Sequence, residues 1–198
     1  MSDPNDPSLI SICGEVLLSK ACQTINFFYQ DYHISGYQYN LIYYALSQDP
    51  YRLQVYEAFM PPTAGAYYYE KGLYLNRLMN HAHPFYKFAL VHECTHAIED
   101  FMTRKVVRTL DSEVAAFIAA ALYERHNSPF SEALLNDLSV GDNQVFSVAR
   151  RVVAGLDQPG ITITPAAVAP LIQAVLKDPT EGPEISNNPL LTEMGYFT

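Results

Sequence analysis

The chain has 198 residues, 49% of them apolar, with a net charge of −9 and a pI of 5.0. That length supports one domain with a sizeable core, and that apolar content excludes a disordered chain. The acidic balance argues against general binding to nucleic acid.

Residues 1–7 form a polar, proline-containing tail with neither the basic stretch nor the apolar run of a signal peptide. No segment reaches the roughly 18 apolar residues of a membrane span. The cytoplasm is the expected compartment, with signal-less export as the alternative. From Ser8 to Tyr29 the apolar spacing (Ile10, Cys13, Val16, Leu17, Ala21, Ile25, Phe28) predicts a helix. Residues 30–37 are polar, contain a glycine and read as a loop. A short Tyr-rich helix follows over Tyr39–Leu46, ended by Asp49-Pro50.

Tyr51–Phe59 alternates as a strand does, and Met60-Pro61-Pro62-Thr63 breaks it. Ala66–Tyr69 and Leu73–Leu75 are β-prone runs joined by Glu70-Lys71-Gly72, a hairpin signal. Pro84 suits the first turn of a helix over residues 84–103. Arg104, Lys105 and Arg108 then suit the negative end of that helix. Val114–Tyr123 carries no charge and reads as a buried helix, capped by Asp111 or Ser112. Phe130–Leu138, Gln144–Leu156 and Pro165–Lys177 predict three more helices, with breaks at Gly141-Asp142-Asn143 and Gln158-Pro159-Gly160. The Pro-, Asn- and Glu-rich segment from Asp178 is expected to lie over the surface. Cys13, Cys22 and Cys94 are odd in number and irregularly spaced, so they read as buried thiols rather than a disulfide framework.

The helix over 84–103 holds His92-Glu93-Cys94-Thr95-His96, the pattern His-Glu-x-x-His. Two imidazoles four residues apart lie on one face and can reach one cation; Glu93 beside them can accept a proton from water at the metal. At about 100° per residue, Glu99, His92, His96, Asp100 and Glu93 share one arc, while Leu90, Val91, Cys94, Ile98, Phe101 and Met102 lie opposite. An acidic, imidazole-bearing face suits a divalent cation, with zinc expected. Asp100 is placed to orient an imidazole by hydrogen bonding.

A catalytic zinc takes three protein ligands. A third His three turns on is excluded, because Met102 stands there. Glu113 opens the uncharged helix, and a lone carboxylate there needs a partner. It is the favoured third ligand, followed by Asp111 and then His126. His81 and His83 precede the helix by too far to join this site and read as surface residues.

The stretch His92–Phe101 resembles the active-site helix of the gluzincin metallopeptidases, thermolysin-like enzymes among them. Glu113-Val-Ala-Ala-Phe-Ile-Ala is similar to the corresponding stretch of bacterial anti-repressor peptidases, and similar short zinc peptidase domains occur as toxin or effector modules. The resemblance covers residues 66–126. It implies an α+β, mostly helical fold with a small antiparallel sheet or hairpin beside the active-site helix. The expected organisation is one domain, with a catalytic core over 51–126 and a helical part over 127–177. The implied activity is zinc-dependent hydrolysis of a peptide bond in a peptide or protein substrate. Zinc is held by His92, His96 and Glu113, Glu93 is the base, and Tyr123, His126 or Tyr68 faces the oxyanion. An edge strand, Ala66–Tyr69 or Leu73–Asn76, is expected to pair with extended substrate. The chain departs from the pattern at two positions: Ser112 stands for the Asn before the ligand Glu, and Phe117 for the Asp four after it. A zinc-holding module without turnover, or a secreted toxin with the same chemistry, are the alternative readings.

Overall fold

Local signals start most of the elements. A computed structural model of the chain describes residues 4–30, 32–49, 51–61, 64–102, 107–128, 144–156, 159–179 and 192–193. Asp6 caps helix α1 (Pro7–Leu17), its carboxylate accepting the Ser8 N–H at 2.8 Å, with Pro7 in the first turn. The helix expected to run on to Tyr29 instead stops there. Ser19 Oγ accepts the Cys22 N–H at 3.2 Å and so restarts the chain as a single turn, α2 (Lys20–Gln23). Residues beyond it become strand β1 (Asn26–Tyr29).

The expected loop over 30–37 is also structured. It holds β2 (Tyr32–Ser35), antiparallel to β1, and the first turn of α3 (Gly36–Gln48). Gly36 serves close approach rather than a loop, since a Cβ there would sit 2.4 Å from the Gln23 carbonyl oxygen. Gln38 Oε1 accepts the Ser35 N–H at 2.7 Å and fixes the start of α3.

Strands β3 (Gln54–Ala58), β4 (Ala66–Tyr69) and β5 (Gly72–Asn76) form a sheet of order β3-β5-β4. The hairpin β4–β5 is present, but the turn is Glu70-Lys71, both with positive φ (45° and 65°), and Gly72 opens β5. The sheet is mixed rather than purely antiparallel, because β3 runs parallel to β5.

Helix α4 (Pro84–Met102) leads through β6 (Val107–Arg108) into α5 (Thr109–Asn127). Two helices follow, α6 (Gln144–Ala154) and α7 (Ala169–Lys177), separated by β7 (Ile161–Ile163). The last, shorter than the expected 165–177, begins after a turn. Strand β7 runs parallel to β1 on the side away from β2, and β8 (Thr192–Glu193) pairs with β6. The expected helix Phe130–Leu138, the break at 141–143 and most of the basic connection lie outside the described residues.

The architecture is α+β and mostly helical, with small sheets beside the helices. One apolar cluster runs from Leu9 to Val175 and takes in both three-stranded sheets and the described helices. Every residue of α5 from Asp111 to Tyr123 is buried, as the uncharged stretch requires. Around α5 pack α4, α2, α6 and α7. No described helix is long and apolar enough to cross a membrane.

The three thiols are free and buried. Burial pushes Cys13 up to about 12, and Cys22 and Cys94 upward as well. The folded protein is therefore expected to give no thiol reaction with Ellman's reagent at pH 8, and three equivalents once denatured. Rapid reaction of a native thiol would contradict this packing.

Candidate metal centre

Helix α4 supplies the first half of the site. Its start is fixed by His83, whose Nδ1 accepts the Phe85 N–H at 3.2 Å. His83 is exposed and the partly buried His81 ring lies against Tyr86, so neither takes part. The apolar side of α4 is in the core through Leu90, Val91, Cys94 and Ile98. The opposite, polar side does not face solvent: α5 and β4 cover it. His92 and Glu99 are buried, and Glu93, His96 and Asp100 are partly buried.

Helix α5 supplies the second half. It begins at Thr109, so Asp111 and Ser112 lie inside its first turn rather than capping it. Glu113 thereby faces α4. The Nε2 atoms of His92 and His96 are 3.2 Å apart. Glu113 Oε2 is 3.3 Å from His92 Nε2, and Oε1 is 3.4 Å from His96 Nε2. Three donors bound at 2.0–2.1 Å in a tetrahedral site stand about 3.3 Å apart, so this triangle has the edges of a zinc site. Direct charge-assisted hydrogen bonds would be shorter, roughly 2.7–2.9 Å. Among the described residues this is the one group of three or more such side chains with donor atoms this close.

The electrostatics agree with the donor geometry. Burial pushes the Glu113 carboxyl upward, but His96 and His92 outweigh it and hold the group below its usual range. Burial raises the Glu93 carboxyl; the two imidazoles oppose this and Glu113 adds to it. A raised carboxyl beside a triangle able to hold a metal suits a group that takes and returns a proton.

Glu93 is also held in place. Its Oε2 accepts the backbone N–H of Tyr68 at 2.9 Å. In the β4–β5 ladder the pair Tyr69–Gly72 closes the hairpin, so Tyr67 and Tyr69 bond inward while Ala66 and Tyr68 turn their backbone groups to the free edge. That edge borders α4. The central position of β5 rules out Leu73–Asn76 as an edge, leaving β4.

The surroundings differ from the sequence reading. Asp100 shares the helix face, but its carboxyl lies beside the Tyr68 hydroxyl, and burial raises it. Ser112 is the group at His96: its Oγ lies 2.8 Å from Nδ1 and donates to Glu99. Both residues carried a signal. Glu99 is three residues after His96 on the same face, and Ser112 is a hydrogen-bonding residue directly before Glu113. His92 has no such support. Its Nδ1 is buried without a hydrogen bond, and Phe117 packs edge-on to its ring with centroids 4.5 Å apart.

The other candidates are elsewhere. Asp111 is buried and accepts from the Tyr29 hydroxyl at 3.3 Å. Tyr123, ten residues beyond Glu113, is about 15 Å further along α5 and packs near Cys22. His126 is exposed near the end of that helix. Neither reaches the triangle, and the Tyr68 hydroxyl is buried near Asp100 without a hydrogen bond. No family model matches the chain, and no curated protein or solved structure matches it either.

Proposed function

We propose that the chain is a zinc-dependent metallopeptidase of the gluzincin type. The observation that carries this reading is the convergence of two imidazole nitrogens and one carboxylate, from two helices, at tetrahedral edge distances. Zinc, when bound, supplies Lewis acidity and makes water acidic enough to lose a proton near neutrality. His92, His96 and Glu113 hold the metal. Glu93 accepts the proton of the attacking water and passes it to the leaving amine. The Tyr68 amide keeps the Glu93 carboxylate from rotating away. The outer edge of β4, where Glu93 already takes the Tyr68 N–H, lies beside the triangle and is where an extended peptide would pair.

The test combines metal analysis with peptide-library digestion for wild type and Glu93→Gln. Wild type is expected to hold one zinc and cleave peptides. Glu93→Gln is expected to keep the zinc and lose roughly 10²–10⁴-fold in rate. Absence of zinc from both purified and reconstituted protein would sink the proposal.

A second reading, a zinc-holding module without turnover, is favoured by one feature: Phe117, rather than an acceptor, packs on the His92 ring. Stoichiometric zinc with no cleavage across the library would select it.

A further inference from the structure

Behind His96 lies a short chain of hydrogen bonds that the metal triangle does not by itself require. Ser112 Oγ sits between two groups able to take its proton: His96 Nδ1, at 2.8 Å, and the carboxylate of Glu99. Ser112 is fully buried and Glu99 nearly so. The direct gap from His96 Nδ1 to Glu99 Oε2 is 3.6 Å, too long for a hydrogen bond. The serine therefore bridges it.

We propose that Glu99 and Ser112 are positioning residues, a relay that locks His96 in its Nδ1–H form. The Nε2 lone pair is thereby turned to the centre of the His92–His96–Glu113 triangle. The argument is one of proton count. A carboxylate only accepts, and a serine hydroxyl has one proton to give. With Glu99 ionised that proton goes to Glu99, and the contact between Ser112 Oγ and Nδ1 is then made by a proton on the ring nitrogen. The opposite polarity, with serine donating to Nδ1, would set two acceptor oxygens against each other at Glu99. It would also place a proton on Nε2, where a metal must bind.

The relay sits on one ligand only. His92 Nδ1 has no hydrogen bond, and Phe117 occupies the adjoining space. Orientation of the pair of imidazoles therefore depends on the His96 side. Groups of this kind change metal affinity by roughly 10- to 100-fold when removed. The positioning role rests on the zinc reading, whereas the choice of tautomer does not.

The experiment uses the full chain with long-range ¹H–¹⁵N correlation of the His96 ring in the metal-free protein. Zinc affinity is measured alongside, by competition with a chelator. Wild type is expected to show the Nδ1–H form alone. Ser112→Ala is expected to show both forms and to bind zinc roughly 10- to 100-fold more weakly, and Ser112→Thr, which keeps the hydroxyl, to restore both readings. Glu99→Gln, equal in size but without charge, is expected to behave as Ser112→Ala does. An Nε2–H form in metal-free wild type would overturn the relay, whatever the variants do. So would wild-type zinc affinity in both Ser112→Ala and Glu99→Gln. Wild type that binds no zinc would overturn the peptidase reading; a Nδ1–H signature lost in Ser112→Ala would still uphold the relay.

Discussion

Glu113→Gln is expected to abolish the stabilisation of the chain by zinc. At a thousand-fold excess over its dissociation constant, zinc stabilises a folded protein by about 4 kcal/mol. For a chain of this length that raises Tm by roughly 8–16 °C. Removing the one carboxylate of the triangle removes its only anionic donor and leaves the two imidazoles. Thermal melts with zinc and with EDTA check this. Wild type is expected to show the full shift and Glu113→Gln close to none, with the two proteins melting within a few degrees of each other in EDTA. The opposite pattern would assign Glu113 a different role. If it serves only as an ion-pair partner of the histidines, Glu113→Gln lowers Tm in EDTA and zinc moves neither protein.

The second large effect lies away from the metal centre. Arg150 is 1% exposed and makes a forked pair with Glu124, Nε to Oε2 at 2.8 Å and Nη2 to Oε1 at 2.9 Å. Its guanidinium also lies 3.9 Å over the Phe146 ring. Arg150→Ala leaves Glu124 largely buried without its cation and removes the packing between α5 and α6. The expected cost is about 3–5 kcal/mol, a fall in Tm of roughly 6–20 °C. The pair as a whole contributes far less than this, because desolvating two charges offsets most of their attraction. Arg150→Met combined with Glu124→Leu is therefore expected to recover most of the loss. A double variant as unstable as Arg150→Ala would show that the charges themselves carry the interface.

The parts of the molecule legible in the sequence were those set by short-range pattern. Helix α4 was expected at 84–103 and runs Pro84–Met102, because a proline start and a two-faced period act within the segment itself. The β4–β5 hairpin was visible for the same reason. The proximity of Glu113 to His92 and His96 could be anticipated because a carboxylate at the head of an uncharged helix needs a partner. What was hidden depends on distant partners. Residues 26–29 continue an apolar period begun in α1, and pairing with Tyr32–Ser35 on one side and Ile161–Ile163 on the other makes them a strand. Arg150 and Arg151 are neighbours in the sequence, and the docking of Glu124 beside the first is what separates the buried arginine from the exposed one. Asp100 and Glu99 sit side by side on one helix face. Which of them serves His96 is decided by where α5 places Ser112, a matter of helix docking rather than of spacing.

The placement of β7 beside β1 also has a consequence for synthesis. Strand β1 gains its second neighbour more than a hundred residues after it is made, and α6 and α7, which pack on α5, come equally late. At about 5–20 residues per second, α4 and α5 are complete roughly 2–10 s before that cover exists. Among the described elements made by then, α4 and α2 are the helices that pack on α5 and shelter the run Val114–Tyr123. If α4 and α5 dock within that interval, His92, His96 and Glu113 come together before the rest of the interior is closed, and a metal ion arriving early would act as a clamp on a half-made protein.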